Sequence, residues 1–200
     1  MKAFVFDTET TGFSSKDRPL SEQPYIVQIA GILGEASKEH GFVEIERINL
    51  MVRPRISIPF GASQVHHIYD ADVENAPYIE EVISQVLKFL NTSDVVVGHN
   101  IEFDEQIIRD ELARIGRNGD YQPMKSICTM KSSTDFCKLP GRGFSFKSPR
   151  LNELYKTLFG EYFEGAHDAM FDVEATAKAF GELLKLGVIT LEESDIMRLF

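Results

Sequence analysis

The chain has 200 residues, of which 43% are hydrophobic and 26% are charged. This balance excludes a disordered chain and indicates one globular domain with a sizeable core. The apolar run between Lys2 and Asp7 is too short for a signal peptide, and no later run approaches the length of a transmembrane helix. The two cysteines, Cys128 and Cys137, are too few for a disulfide framework, so we expect a cytoplasmic protein without a membrane partner.

The formal net charge is −10, which ordinarily disfavours association with a polyanion such as nucleic acid. A cluster of carboxylates that binds metal ions would account for part of this charge. Bound cations would also invert its sign locally. The composition therefore does not exclude a nucleic-acid partner.

The first quarter of the chain is predicted to be rich in strands. Phe4 to Phe6 form a short buried strand that ends in a Thr-Thr-Gly turn. Residues 14–24 are polar, contain two prolines and predict an exposed loop. The β-branched run 25–33 and the alternating run 42–52 then predict two strands joined by a turn over 34–41, which gives an antiparallel meander.

Helices and strands alternate after this meander. Apolar residues at helical spacing predict a helix that starts at Pro77. The valine run 95–97 predicts a buried strand, a helix follows over 103–115, and residues 124–128 form a weaker strand candidate. This order is typical of an α/β unit.

Two more helices are predicted towards the C-terminus. Ser148 as N-cap and Pro149 at the first helical position predict the start of a helix that Gly160 ends. The longest helical pattern runs over 167–186 and ends at Gly187.

One domain is predicted over residues 1–187, with a short extension over 188–200 that forms no separate domain. Because this extension is short, we expect no C-terminal domain that tethers the chain to a polymerase. The loop 138–147 is basic and aromatic, which is the composition of a single-strand contact. A solvated loop is the alternative, and the composition does not decide between them.

Asp7 and Glu9 lie at the end of the first predicted strand. Residues i and i+2 of a strand point to the same face, so the two carboxylates project together. Like charges at this spacing resist ionisation unless a cation compensates them, and Mg²⁺ or Mn²⁺ prefers such oxygen ligands. The alternative is that Asp7 opens a turn and Glu9 is solvated.

Further candidates follow later strands and helices. Asp104 lies at the start of a helix after a buried strand, at the sheet edge where ligands of α/β proteins collect. An acid that only stabilises a helix N-terminus is the alternative. His167 and Asp172 lie together at the start of the last long helix, where a base and a metal ligand are possible roles. A surface histidine and a first-turn acid are the alternative.

Taken together, these residues resemble the three motifs of the DnaQ-like (DEDDh) 3′–5′ exonucleases, in particular the exonuclease domain of the bacterial DNA polymerase III epsilon subunit. The matching segments are Asp7-Thr-Glu9-Thr-Thr-Gly, His99-Asn100-x-x-Phe103-Asp104 and His167-Asp-Ala-x-x-Asp172. The resemblance covers nearly the whole chain. It implies an α/β, ribonuclease H-like fold, in which a mixed central sheet of an antiparallel meander and parallel strands is flanked by helices.

The resemblance also implies the catalytic roles. Asp7, Glu9, Asp104 and Asp172 would hold two divalent cations, Mg²⁺ or Mn²⁺, with Asp7 bridging both. Glu9 and Asp172 would complete the site on the nucleophile side, and Asp104 would support the site on the leaving-group side, largely through water. His167 would act as the general base. The reaction would release nucleoside 5′-monophosphates from 3′ ends.

The resemblance implies substrate contacts less specifically. The expected residues are Thr10, Thr11, Gly12, Phe13, His66 and Asn100. Phe13 could instead be a core aromatic, Asn100 a helix cap, and His66, His67 and His99 core or surface histidines. Family members usually carry glycine in place of His67 and threonine in place of Tyr69.

The expected function is therefore a proofreading or repair exonuclease that acts on single-stranded or frayed 3′ ends of DNA, with a DNA polymerase as a partner in trans. Two alternatives stay open. One is an exoribonuclease that trims RNA 3′ ends on the same scaffold, since no residue pattern reveals contacts to a ribose 2′-hydroxyl. The other is a catalytically silent nucleic-acid-binding module, against which the complete set of four carboxylates and one histidine argues.

Overall fold

The computed structural model describes residues 1–143 and 145–191. These residues form a five-stranded mixed sheet with helices on both faces. The strands are β1 (Lys2–Thr10), β2 (Ile26–Ser37), β3 (Gly41–Met51), β4 (Val95–Gly98) and β5 (Ser126–Cys128). The helices are α1 (Phe60–His66), α2 (Asp70–Val73), α3 (Ile79–Thr92), α4 (Ile101–Arg114), α5 (Thr129–Ser132), α6 (Thr134–Cys137), α7 (Leu151–Phe159) and α8 (Ala169–Lys185).

The strand order is β3-β2-β1-β4-β5, which places the first strand at the centre of the sheet. Strands β1, β2 and β3 pair antiparallel, as the meander predicted, whereas β4 pairs parallel with β1 and β5 pairs parallel with β4. The predicted fold class is confirmed. Strand β2 pairs with β1 along its whole length to Thr10, whereas β4 pairs with it only over residues 3–5, so the C-terminal end of β1 has a neighbouring strand on one side.

Strand β1 supplies both halves of the core because its side chains alternate between the two faces of the sheet. Phe4 and Phe6 pack with α3 and α4 on one face. Val5 packs with α8 on the other face, around the fully buried Phe180. The strand is therefore fixed by buried contacts from both sides, up to the point where Asp7 begins the polar segment.

The predicted start of α7 is wrong by two residues. The helix begins at Leu151 after Arg150, and neither Ser148 as N-cap nor Pro149 as first helical residue is observed. The reason is that the carboxylate of Glu153 accepts the Arg150 backbone N–H at 2.8 Å, which stabilises this later start.

Helix α3 begins at Ile79 rather than at Pro77 for the same reason, since Glu81 accepts the Tyr78 backbone N–H at 2.8 Å. Helix α4 covers 101–114, close to the predicted 103–115. The last helix begins at Ala169, so His167 precedes it. Asp168 caps this helix by accepting the N–H of Met170 at 2.9 Å.

Four short helices, α1, α2, α5 and α6, were not predicted. Each has only four to seven residues, which is too few to produce a readable 3.6-residue period. At the end of α1, His67 has a backbone φ of +59°, a left-handed conformation in which glycine is favoured. This conformation explains why members of the family that the sequence resembles usually carry glycine at position 67.

The loop 138–147 is a short hairpin in its described part, with the Lys147 N–H bonded to the Leu139 carbonyl at 3.0 Å. Phe144 lies outside the described residues, and Lys147 pairs with Glu153 on α7. A role of this loop in single-strand contact stays a prediction. The extension predicted from residue 188 is described only to Leu191, where Ile189 packs into the core, so the domain boundary also stays a prediction.

Among the described residues, no helix is both long and apolar enough to cross a lipid bilayer. Cys128 and Cys137 are free thiols.

The close approach of β2 to the Phe4 ring yields a stability prediction. A Cβ at Gly31 would lie 2.1 Å from Cζ of Phe4, whose ring is fully buried and stacks on Phe6 and Phe89. We expect Gly31→Ala to lower the free energy of unfolding by about 1–3 kcal/mol, as overpacking does. Urea unfolding measures this change.

Gly61→Ala is the matched control, because Gly61 lies in α1 and a Cβ there meets no heavy atom within 4 Å. We expect this control to be neutral or to stabilise the protein by up to about 1 kcal/mol. Equal stabilities of the two variants would contradict the packing described for Phe4.

Candidate active site

Three carboxylates converge where β1 ends. Asp7 and Glu9 project from the same face of β1, and Asp172 reaches them from the first turn of α8. One oxygen from each of the three carboxylates lies within 4.8 Å of the other two. All three side chains are partly accessible. The structure therefore brings together three of the four predicted metal ligands directly.

Asp104 lies beside this group and is held differently. It is buried in the first turn of α4, and its Oδ1 accepts the Thr8 backbone N–H at 3.0 Å and the Thr8 hydroxyl at 2.7 Å. These bonds fasten α4 to the middle of the acidic strand segment. Both Thr8 bonds go to Oδ1, so they leave Oδ2 as the oxygen that can serve a ligand.

Burial raises the pKa values of all four carboxyl groups, and repulsion by nearby carboxylates adds to this effect. Desolvation raises the pKa of Glu9 to about 8, with further contributions from Asp172 and Asp104. Desolvation also raises the pKa of Asp104 to about 7, although the two Thr8 bonds oppose it. The pKa of Asp172 rises to about 6, and that of Asp7 rises well above its ordinary value because of burial and the neighbouring acids.

His167 lies at the mouth of the site on an exposed turn. Its backbone has a φ of +72°, and its N–H donates to Oδ2 of Asp172 at 3.1 Å. His167 therefore lies on the segment that leads directly into α8, the helix that carries Asp172. The neighbouring cap residue Asp168 adds another negative charge, which contributes to the raised pKa values of Asp7 and Glu9.

Gln28 is a site-supporting residue that the sequence analysis missed. Its side chain is buried on β2 opposite Glu9, and its Oε1 accepts the Ala169 N–H at 3.2 Å. Its amide nitrogen donates to Asn49 at 3.0 Å. The bond between Gln28 and Ala169 fixes the start of α8 against the sheet. A single amide within the apolar run 25–33 was the signal that could have identified it.

The turn after β1 carries the predicted substrate residues. The Thr10 hydroxyl donates to the Gly12 carbonyl at 2.6 Å, and Thr11 is buried. Phe13 is 86% exposed and meets the Phe103 ring edge-on with centroids 6.4 Å apart. The alternative of a core aromatic is therefore wrong for Phe13, and its ring is available to a ligand.

The other predicted contact residues differ in their surroundings. Asn100 occupies the N-cap position of α4, with a φ of +77°, but its exposed side chain makes no cap bond to the helix. His66 is buried, its Nδ1 accepts the Ile68 N–H at 3.1 Å, and burial lowers its pKa. His99 contacts Thr129 and the Pro149 carbonyl at 3.0 Å each, which fits the structural role allowed for it.

The donor set suits divalent cations. Three carboxylates with raised pKa values share one small volume, and among the described residues no Lys or Arg forms an ion pair with them. Carboxylate oxygens without a protein countercharge are the ligands that Mg²⁺ and Mn²⁺ prefer. Asp7, Glu9 and Asp172, with Asp104 beside them, therefore fit the metal sites that were expected.

Comparison with known proteins identifies the class of protein that this fold and site define. A family model described as "Exonuclease" (RNase_T) matches residues 4–180, and the chain belongs to this family. The chain is therefore a nuclease, and the alternative of a catalytically silent module is not supported. The resemblance to DnaQ-like exonucleases is confirmed.

Particular relatives agree with this class. A DNA polymerase III subunit epsilon-like protein from Rhodobacter capsulatus is 32% identical over 90% of this chain. The solved structure of exonuclease X in complex with 5′ overhanging duplex DNA is 25% identical, covers 94% of each chain and has a TM-score of 0.64. The nuclease domain of 3′hExo, a DEDDh family member bound to rAMP, is 17% identical, covers 96% of each chain and shares the fold with a TM-score of 0.71.

The chain spans only part of some relatives. It covers 12% of a PolC-type DNA polymerase III from Clostridium perfringens and 23% of the Rhodobacter capsulatus protein. Their activities as whole proteins therefore belong to proposals about this chain.

The raised pKa values predict how stability depends on pH without metal ions. Unfolding returns these carboxyls to ordinary values near 4, so the folded protein binds more protons than the unfolded chain between about pH 4 and about pH 8. Stability then falls as the pH rises through this window. We expect the Tm in EDTA to be lower at about pH 8 than at about pH 5.

Mg²⁺ or Mn²⁺ should reverse this loss, because cations bind the ionised carboxylates of the folded state. We expect the increase in Tm on addition of metal to be larger at the higher pH. Thermal unfolding followed by circular dichroism measures both effects. A metal-free Tm that rises across this pH range would contradict the electrostatics described for the site.

Proposed function

We propose that this protein is a 3′–5′ exonuclease that releases nucleoside 5′-monophosphates from DNA 3′ ends in proofreading or repair. The observation that supports this most is the convergence of Asp7, Glu9 and Asp172 within 4.8 Å, with Asp104 bonded to Thr8 beside them. Phosphodiester hydrolysis by paired cations needs such a cluster of carboxylates.

Asp7, Glu9 and Asp172 would hold the divalent cations, with Asp104 as the fourth ligand. When bound, such cations supply an activated water and neutralise the charge that develops on the phosphate. The protein's own contribution is to keep these carboxylates in place. The Thr8 bonds fix Asp104, and the bond from Gln28 to Ala169 fixes the helix that carries Asp172.

His167 would accept the proton of the attacking water. Its position supports this role, since it is exposed to solvent and its backbone N–H is tied to Asp172. A histidine can accept a proton near neutral pH, which suits a general base. His167 precedes α8, which begins at Ala169, so its ring does not lie on the helix.

The turn of Thr10, Thr11, Gly12 and Phe13 would receive the 3′-terminal nucleotide. Phe13 offers an exposed ring for stacking on a base, and base–aromatic stacking does not depend on sequence. Asn100 is free to donate to a phosphate or sugar, and His66 would contact the terminal nucleotide from below the turn. Single-stranded or frayed ends fit this arrangement because an unpaired base can rotate freely to stack on the exposed Phe13 ring.

DNA as the substrate and a polymerase as a partner in trans are inferences from relatives. The name of the Rhodobacter capsulatus relative refers to the epsilon subunit of DNA polymerase III, and the exonuclease X structure contains DNA. Trimming of RNA on the same scaffold is the outcome that a direct comparison of substrates tests.

The central activity prediction concerns Asp7 and His167. On 5′-labelled single-stranded DNA with Mg²⁺ or Mn²⁺, we expect stepwise shortening that EDTA stops. Asp7→Asn should reduce the rate below detection, because it removes the charge of a proposed metal ligand at the centre of the cluster. His167→Gln should lower kcat by about 10²–10⁴-fold, which is the usual contribution of a general base.

Glu39→Gln and His40→Gln are matched controls on the exposed turn between β2 and β3, and both should retain full activity. Unchanged activity of Asp7→Asn or His167→Gln would overturn the assigned mechanism. Faster shortening of RNA than of DNA of the same sequence would replace the DNA assignment by the RNA alternative.

Phe13 gives a separate prediction about substrate contact. Phe13→Ala should raise KM for single-stranded DNA by roughly 5–100-fold, which corresponds to loss of one base–aromatic stack, with a smaller effect on kcat. Phe13→Tyr should preserve the stack and behave like the wild type. A Phe13→Ala protein with an unchanged KM would show that this ring does not contact the substrate.

A further inference from the structure

The segment 14–24 connects the substrate turn to β2 and is folded around one buried amide. The Gln23 side chain donates to the carbonyls of Ser15 at 2.6 Å and Arg18 at 2.7 Å. Its own Oε1 accepts the Ser15 N–H at 3.0 Å. These hydrogen bonds lie within the segment, and most of its other side chains are exposed. The segment therefore needs contacts with a neighbouring element to keep its position on the domain.

Arg114 at the end of α4 provides this attachment. Its Nη2 donates to the Gln23 carbonyl at 2.6 Å and reaches the Leu20 carbonyl at 3.3 Å. Its guanidinium lies over the Tyr25 ring at 3.8 Å from the centroid. Its Nη1 is 3.1 Å from the carboxylate of Glu111, and both side chains are largely buried, at 12% and 2% exposure. One arginine thus contacts the segment, the following tyrosine and the helix.

Tyr25 connects Arg114 to the turn over residues 10–13, which is proposed to receive the substrate. The Tyr25 N–H donates to the Thr11 hydroxyl at 2.9 Å, and the Thr11 N–H donates to the Tyr25 carbonyl at 2.9 Å. Glu111 fixes the next residue, since its Oε1 accepts the Ile26 N–H at 2.9 Å. The position of Thr11, and with it Gly12 and Phe13, therefore depends on bonds that lead to Arg114.

We propose that Arg114 is a positioning residue for the 3′-terminal nucleotide, acting through Tyr25 and Thr11 on the turn that receives the substrate. The proposal rests on the proposed function, because it assigns the turn to nucleotide binding. Arg114 lies ten positions after Asp104 on the same helix, about 15 Å along its axis, so it does not touch the reacting atoms. The acidic cluster makes no bond to Arg114.

An arginine suits this position better than a lysine. Its planar guanidinium stacks on the Tyr25 ring and at the same time donates to two carbonyls in fixed directions. A lysine ammonium has no planar face and cannot make all these contacts together. Arg114→Lys should therefore retain only part of the substrate affinity of the wild type.

The test measures substrate affinity and turnover separately. The variants are Arg114→Met, which keeps the apolar stem, and Arg114→Lys. Arg117→Met is the matched control, because Arg117 forms a similar i,i+3 ion pair with Asp120 on the surface, away from the turn. We expect Arg114→Met to raise KM for single-stranded DNA about tenfold with kcat within about twofold of wild type, and Arg114→Lys to fall between them.

A second readout does not depend on activity. In the Asp7→Asn background, the dissociation constant for a fluorescein-labelled oligothymidylate, measured by anisotropy, should rise about tenfold with Arg114→Met and stay unchanged with Arg117→Met. Mn²⁺ affinity of Arg114→Met, measured by calorimetry with Asp7 intact, should change by less than about twofold. A merely structural arginine gives a different result. If Arg114→Met lowers the Tm together with kcat or Mn²⁺ affinity and leaves KM unchanged, the proposal is overturned.

Tyr25 keeps the proposal testable if Arg114→Met does not fold. Tyr25→Leu removes the ring on which the guanidinium stacks, whereas Tyr25→Phe retains it, so KM should rise in the first and not in the second. Equal KM values for the two would contradict the proposal. Activity of the wild type that Asp7→Asn abolishes supports the proposed function whatever the Arg114 variants do, and the anisotropy result tests Arg114 even if the wild type does not hydrolyse DNA.

Discussion

Repulsion among carboxylates at the end of the central strand is the constraint on which the site depends. One carboxylate oxygen from each of Asp7, Glu9 and Asp172 lies within 4.8 Å of the other two. Desolvation and the charges of neighbouring acids raise the pKa of each of these carboxyl groups. Such a group destabilises the folded protein when it is ionised and has no countercharge. Cations held by these carboxylates would supply the missing countercharge, so the feature that weakens the metal-free fold is the one that suits the proposed metal sites.

The fold maintains this unfavourable group by anchoring the backbone around it. Strand β1 is buried on both faces before Asp7, and Thr8 binds Asp104 through its backbone N–H and its hydroxyl. Gln28 holds the start of α8, which carries Asp172. Because each acid is carried by an element with its own buried contacts, repulsion among the carboxylates cannot move their backbones apart without breaking core contacts. The same rigidity positions the substrate turn that follows β1.

The acids of the site could be predicted from the sequence because their spacing is local. Asp7 and Glu9 follow the two-residue period of a strand, and the histidine and aspartate of the third motif lie within one short segment. The supporting contacts could not be predicted, because their partners are distant in the chain. Thr8 and Asp104 are 96 positions apart, Gln28 and Ala169 are 141 apart, and Arg114 and Gln23 are 91 apart. Helix starts were misplaced where a glutamate competes with the expected serine or proline signal, as Glu153 does at α7.

Proton release on metal binding tests most directly whether the crowded carboxylates form the metal site. Glu9, with a pKa of about 8, and Asp104, with a pKa of about 7, hold protons near neutral pH, and a cation must displace them. Titration calorimetry with Mn²⁺ at about pH 7, in buffers of different ionisation enthalpy, should show release of about one or more protons per protein, and Asp7→Asn should lose tight binding. Mn²⁺ binding without proton release, or equally tight binding to Asp7→Asn, would contradict the claim that crowded carboxylates form the metal site.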